Sequence, residues 1–186
     1  MKHSLFAIQI FTPLAQSEPL REELHRTIVA APERVSPIGK HRFYSDLVNA
    51  VLQAGPTLVL GHWDYTNDPE EASREFLEWT DGTIRDATDA ARHPPDTSLE
   101  RFMFLTLAVL IERKSDTDRA MDKACAIPRE RLWKRATFKA LLLEFLKLDF
   151  RRVQSDAVFL CPGSVVRGVT RADLTLPAYA YVHELD

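Results

Sequence analysis

A chain of 186 residues, 45% hydrophobic and 27% charged, lies within the usual size of one domain and is long enough to bury a sizeable core. A net charge of −3 and a sequence pI near 6.1 exclude the overall basic footprint of a nucleic-acid binder and any general attraction to an anionic membrane. Two cysteines, Cys125 and Cys161, are too few for a disulfide framework or a zinc cluster, so a reducing compartment, the cytoplasm, is expected.

The opening MKHSLFAIQIFTPLAQ has the outline of a signal peptide, but Gln9 interrupts its apolar run and Pro13 ends it. Residues 5–11 therefore read as a largely buried strand. In SEPLREELHRTIVAA, Ser17 suits an N-cap, Pro19 the first turn, and Leu20, Leu24 and Ile28 share one face of a helix. Pro32 to Gly39 reads as a loop, and Phe43, Leu47, Val48, Val51 and Leu52 form a second apolar face that stops at Gly55-Pro56. TLVLGHWDY (57–65) reads as a second strand. Asp68, Pro69 and Glu71 then have the spacing of a helix start, which assigns Asp68, Glu70 and Glu71 to capping. A break or bend is expected at Asp81-Gly82, and HPPD (93–96) reads as the linker to a second half.

RFMFLTLAVLIE (101–112) is strand-like in composition, although its length also suits a helix; TDRAMDKACAI reads as a short helix, and 129–148, opened by Pro128, as a helix apolar enough to be the most buried of all. DAVFLCP (156–162) reads as the last strand, and Thr170 and Asp173 stand in capping-box spacing. No segment approaches the ~18 uncharged apolar residues that a bilayer span requires.

The two halves, 1–92 and 97–186, repeat one order of parts: strand, helix, helix, strand. Phe6 answers Phe104, and Leu58 to Leu60 answers Val158 to Leu160. A two-stranded unit is marginal alone, whereas two can share one sheet. The expectation is a single α+β domain with one four-stranded sheet, helices packed on its face and pseudo-two-fold character. With its apolar strand, acidic helix, FLTLAVLIE (104–112) and TRADLTLPAY (170–179), the chain resembles a family of cyanobacterial and plastid proteins known only as a domain of unknown function. That resemblance implies no activity and no catalytic residues, and it carries no membrane role.

Under the repeat, His62 and Asp64 are equivalent to Cys161 to Gly163, and symmetry would bring the two groups together. Cys161 as nucleophile, His62 as base and Asp64 or Asp68 as orienter would then make a cysteine hydrolase, because a thiol needs a neighbouring base to supply thiolate. No nucleophile elbow or papain-like signature surrounds Cys161, and VFLCP is the context of a structural cysteine. The six scattered histidines show no metal-ligand spacing, and no phosphate loop or dinucleotide fingerprint is present, so neither metal nor cofactor is expected. Trp63, Tyr65 and Trp79 suit the edge of a core, with Trp63 and Tyr65 also offering an aromatic rim to a ligand.

Residues 129–152 hold eight basic side chains, Arg131, Lys134 and Arg135 among them, against Glu130, Glu144 and Asp149, whereas 66–100 carry ten acids against Arg74, Arg85 and Arg92. Opposite surpluses of this kind suit pairing between copies or with a protein partner. The basic segment leaves weak nucleic-acid binding as a third reading. The sequence thus favours a non-catalytic interaction or regulatory module, self-associating, over the hydrolase.

Overall fold

The computed structural model describes residues 2–31, 36–90, 100–162 and 168–186, with residues 81–90 followed in backbone only. HPPD (93–96) and Gly163 lie outside the described residues. In chain order the elements are β1 (His3–Pro13), α1 (Leu14–Val29), α2 (Pro37–Gln53), β2 (Leu60–Thr66), α3 (Pro69–Ala90), β3 (Arg101–Glu112), α4 (Asp116–Cys125), α5 (Arg135–Phe145), β4 (Val153–Cys161), β5 (Val169–Thr170) and β6 (His183–Glu184). All the strand pairs are antiparallel, in the order β4-β3-β1-β2-β6, with β5 against the start of β3. This is an α+β fold in which the four expected strands form one sheet. Among the described residues that sheet has six strands rather than four, because two two-residue strands, too short to leave a period in the sequence, add to it.

The apolar runs 5–11 and 101–112 become the two central strands, paired from His3↔Glu112 to Pro13↔Phe102. Both are covered on both faces, so their sequences are apolar without clean alternation. One face carries Phe6, Ile8, Ile10, Leu105, Leu107 and Val109, and on it pack α1, α2, α4 and α5 through Leu24, Leu47, Met121 and Phe138. On the other, Leu5, Ala7, Ala108 and Leu110 receive Ala72, Phe76 and Trp79 of α3. Three alanines meet there, which lets the α3 backbone approach the sheet closely. Phe6 and Phe104, set in correspondence by comparison of the halves, fall on opposite faces, Phe104 joining Phe11 and Cys161.

Local signals placed some elements and misplaced others. Ser36 caps α2 by accepting from Gly39 N, with Pro37 at the first helical position. Asp68 Oδ1 accepts from the amides of Glu70 and Glu71, both at 3.0 Å, as its capping spacing predicts. Ser17, by contrast, lies inside α1, because the helix starts at Leu14 directly off the end of β1. The break expected at Asp81-Gly82 does not occur, and α3 runs on to Ala90; a single glycine costs a helix only about 1 kcal/mol. The expected helix 129–148 is divided into a 3-10 turn at Arg129–Arg131 and α5. Thr170 and Asp173 exchange the hydrogen bonds of a capping box, yet only a 3-10 turn at Asp173–Thr175 follows, with Pro177 close behind.

Candidate functional site

Alternation along β2 divides the cluster His62, Trp63, Asp64 and Tyr65. Through the pairs Gln9↔His62 and Ala7↔Asp64, the two polar residues share the α3 face of the sheet, while Trp63 and Tyr65 lie with Ile8 and Phe6 on the four-helix face. There the indole N–H of Trp63 donates to Leu132 O at 3.2 Å, and the Tyr65 hydroxyl donates to Asp118 Oδ1 at 2.9 Å. Burial and the Asp118 carboxylate push the Tyr65 phenol well above its usual range. Trp63 and Tyr65 are thus half-buried braces between β2 and the helical layer.

His62 sits among four rings from three separate segments. Trp79 and Trp133 lie nearly parallel to it at 5.9 and 5.6 Å, Tyr181 meets it edge-on at 5.1 Å, and His183, itself stacked on Trp133 at 3.8 Å, stands 6.2 Å away. Beside it the Gln9 amide donates to Thr106 Oγ1 at 2.8 Å and accepts from the Tyr181 hydroxyl at 2.9 Å. The Nδ1 of His62 and Oε2 of Glu75 are buried without a hydrogen-bond partner among the described residues. Burial holds the His62 pKa below its usual value against the opposing pull of Asp64, with His183 lowering it further. Burial also raises the Glu75 carboxyl, helped by Asp64 and Glu71. The arrangement is a largely neutral imidazole in an aromatic enclosure beside a buried amide–hydroxyl chain, able to offer a hydrogen-bond acceptor.

Cys161 is not part of it. It lies on β4, and β3 and β1 stand between that strand and β2. Three strand spacings of about 4.8 Å separate the two strands by roughly 14 Å, beyond the reach of a hydrogen bond. Buried among Phe11, Phe104 and Tyr179, Cys161 is a core residue, and the structure brings only His62 and Asp64 of the proposed triad together. Burial pushes the half-buried Cys125 thiol up to about 12. Among the described residues no group of three or more His, Cys, Asp or Glu side chains is placed to hold a metal ion.

The basic segment is occupied locally. Lys134 Nζ lies 2.6 Å from Asp186 Oδ2, the Arg135 amide donates to Asp186 O at 2.9 Å, and its guanidinium donates to Leu185 O at 3.3 Å. These residues moor the C-terminal strand that carries His183. Arg131 is exposed, and its carbonyl accepts from Thr137 Oγ1 at 2.6 Å. Gln9, Thr106, Glu75, Trp133, Tyr181 and His183 were not singled out from the sequence as site residues. Only Gln9 and Thr106 left a signal there, as single polar residues inside apolar runs. No known protein family, curated protein or solved structure matches the chain.

The histidine enclosure makes stability depend on pH. His62 and His183 both have folded-state pKa values below 6.5, so the unfolded chain takes up protons first as the pH falls. Their contribution is complete above pH 6.5 and is lost on acidification through the lowered folded-state values; Glu75, raised, acts in the opposite sense. Thermal melts from neutral to mildly acidic pH should show a falling Tm, and His62→Phe, which keeps a ring, should flatten the fall. An unchanged slope in that variant would assign the effect elsewhere.

Proposed function

We propose that this protein is a non-catalytic interaction module that self-associates, and that copies join through the free edge of β4. The observation that carries the reading is that, among the described residues, β4 pairs with β3 alone along Val153–Cys161, leaving its outer side open. Sheet edges are ordinarily blunted by lysine, proline or inward-pointing charge. Here Val158, Phe159 and Leu160 are only half-buried, and the single charge, Asp156, is already engaged by Lys40 and by the Tyr44 hydroxyl. Antiparallel addition of a second β4 would pair the unused backbone groups and cover those side chains about a two-fold axis. The two strand–helix–helix–strand halves belong to the same proposal, as a repeat whose outer strands are β2 and β4.

Sedimentation tests it. The protein should dimerise with rising concentration, and Ala157→Lys with Phe159→Lys, which charge the edge without entering the four-helix core, should weaken the dimer about tenfold or more. Association through the acidic 66–100 and basic 129–152 segments would instead fade as the screening length falls to ~10 Å and respond to Arg131→Glu, Lys134→Glu and Arg135→Glu. A protein that remains monomeric at high concentration in low salt would sink both forms of self-association.

A further inference from the structure

A second site lies apart from the histidine enclosure, where the chain enters β4. A cleft of about 670 Å³ opens between the turn leaving β3, the start of α4 and the chain around the 3-10 turn at Phe150–Arg152. Among the described residues its lining includes six basic side chains, Arg113, Lys114, Arg119, Lys147, Arg151 and Arg152, against three carboxylates, and no aromatic ring. In a protein of net charge −3 this local excess of positive charge runs against the whole. The carboxylates are already taken: Asp149 is held by Arg151 at 2.8 Å, Glu112 by Arg152 at 2.9 Å, and Asp116 by Arg119. Lys147 pairs with Glu144 outside the lining. The side chains of Arg113 and Lys114 make no hydrogen bond or ion pair among the described residues. The start of α4 adds nothing for an anion, because Ser115 caps it and Asp116 and Asp118 fill its first turn.

We infer that this cleft binds a compact polyanion bearing two or more phosphoryl groups and no aromatic moiety. Its volume is that of a small-molecule site. Guanidinium groups whose carboxylate partners leave N–H donors unused are suited to bidentate phosphate contacts. Arg151 offers Nη1 in this way, its Nε and Nη2 being committed to Asp149. The absence of a ring from the lining argues against a nucleobase and against a nucleic-acid strand, which would use stacking as well as charge. Lys114 holds a left-handed backbone, φ 63°, fixed by its amide donating to Asp118 Oδ2 at 2.6 Å and its carbonyl accepting from Arg119, so the lysine is presented from a rigid turn.

Calorimetric titration of the full chain with tripolyphosphate, at a salt concentration where the screening length exceeds ~10 Å, tests the assignment. One saturable site is expected, tighter for tripolyphosphate than for sulfate at matched ionic strength, with ATP binding no more tightly than tripolyphosphate. Arg113→Gln with Lys114→Asn, asparagine being tolerant of the left-handed turn, should weaken binding about tenfold. Arg129→Gln with Arg131→Gln, basic and exposed but outside the cleft, should leave it unchanged. Absence of saturable binding, equal binding of sulfate, or equal loss in the control variant would overturn the site. Tighter binding of a short single-stranded oligonucleotide would replace it with a nucleic-acid surface. Since dimerisation is read separately by sedimentation, failure of either proposal leaves the other standing.

Discussion

Phe145→Ala is expected to lower the free energy of unfolding by about 3–5 kcal/mol, the cost of a large side chain removed from a packed core together with the cavity it leaves. Phe145 is 1% exposed on α5 and stands where three elements meet. Its ring lies 5.4 Å from Phe6 of β1 and stacks at 5.6 Å and 11° on Tyr44 of α2. Tyr44 in turn stacks on Phe150 at 4.9 Å and donates its hydroxyl to Asp156 at 3.1 Å, which extends the assembly to β4. Tyr44 cannot collapse far into the void, because Phe150 and Asp156 hold it from the other side. The control is Leu143→Ala, two residues away and 43% exposed, which should cost less than about 1 kcal/mol. Urea denaturation of both variants measures the contrast as a shift in midpoint. Equal shifts would mean that α5 does not present these faces.

Asp118→Ala should cost about 3 kcal/mol, through polar groups left without partners rather than through lost volume. The Asp118 side chain is a buried junction: Oδ1 accepts from the Tyr65 hydroxyl and Oδ2 from the Lys114 amide, while its own amide donates to Ser115 Oγ at 3.1 Å. Alanine leaves the first two donors unpaired and frees Lys114 from the contact that holds its left-handed backbone. Tyr65→Phe supplies the cycle. In the native background it strips one hydrogen bond, and in the Asp118→Ala background it removes an already orphaned hydroxyl, so its cost should fall or reverse sign. Additive effects of the two substitutions would show that the pair is not coupled.

The residues of these two experiments also mark how far the sequence reaches. The strands at 5–11, 101–112 and 156–161, the helix of TDRAMDKAC and the cap at Asp68 were legible, because apolar runs, hydrophobic period and capping spacing act within a few residues. The continuation of α3 past Gly82 and the division of 129–148 were not, since each turns on which tertiary contacts offset a modest local preference. Leu143 and Phe145 are both apolar residues of one LLLEF run, and only the approach of β1 and α2 makes one a keystone and leaves the other in water.

The candidate sites follow the same division. That His62 and Asp64 share a face and Trp63 and Tyr65 the opposite one follows from the two-residue period of any strand, but which face meets α3 does not. A repeat of the two halves would join Cys161 to His62 by symmetry, but the strand order, with β3 and β1 between them, keeps them apart. The polar chain beside His62 links Gln9 to Thr106 and Tyr181, 97 and 172 residues further on. The main strands, most of the helices and the alternation along them follow from neighbours along the chain, where period and capping act. Which polar groups are buried together depends instead on sheet order and helix packing, to which distant segments contribute at once.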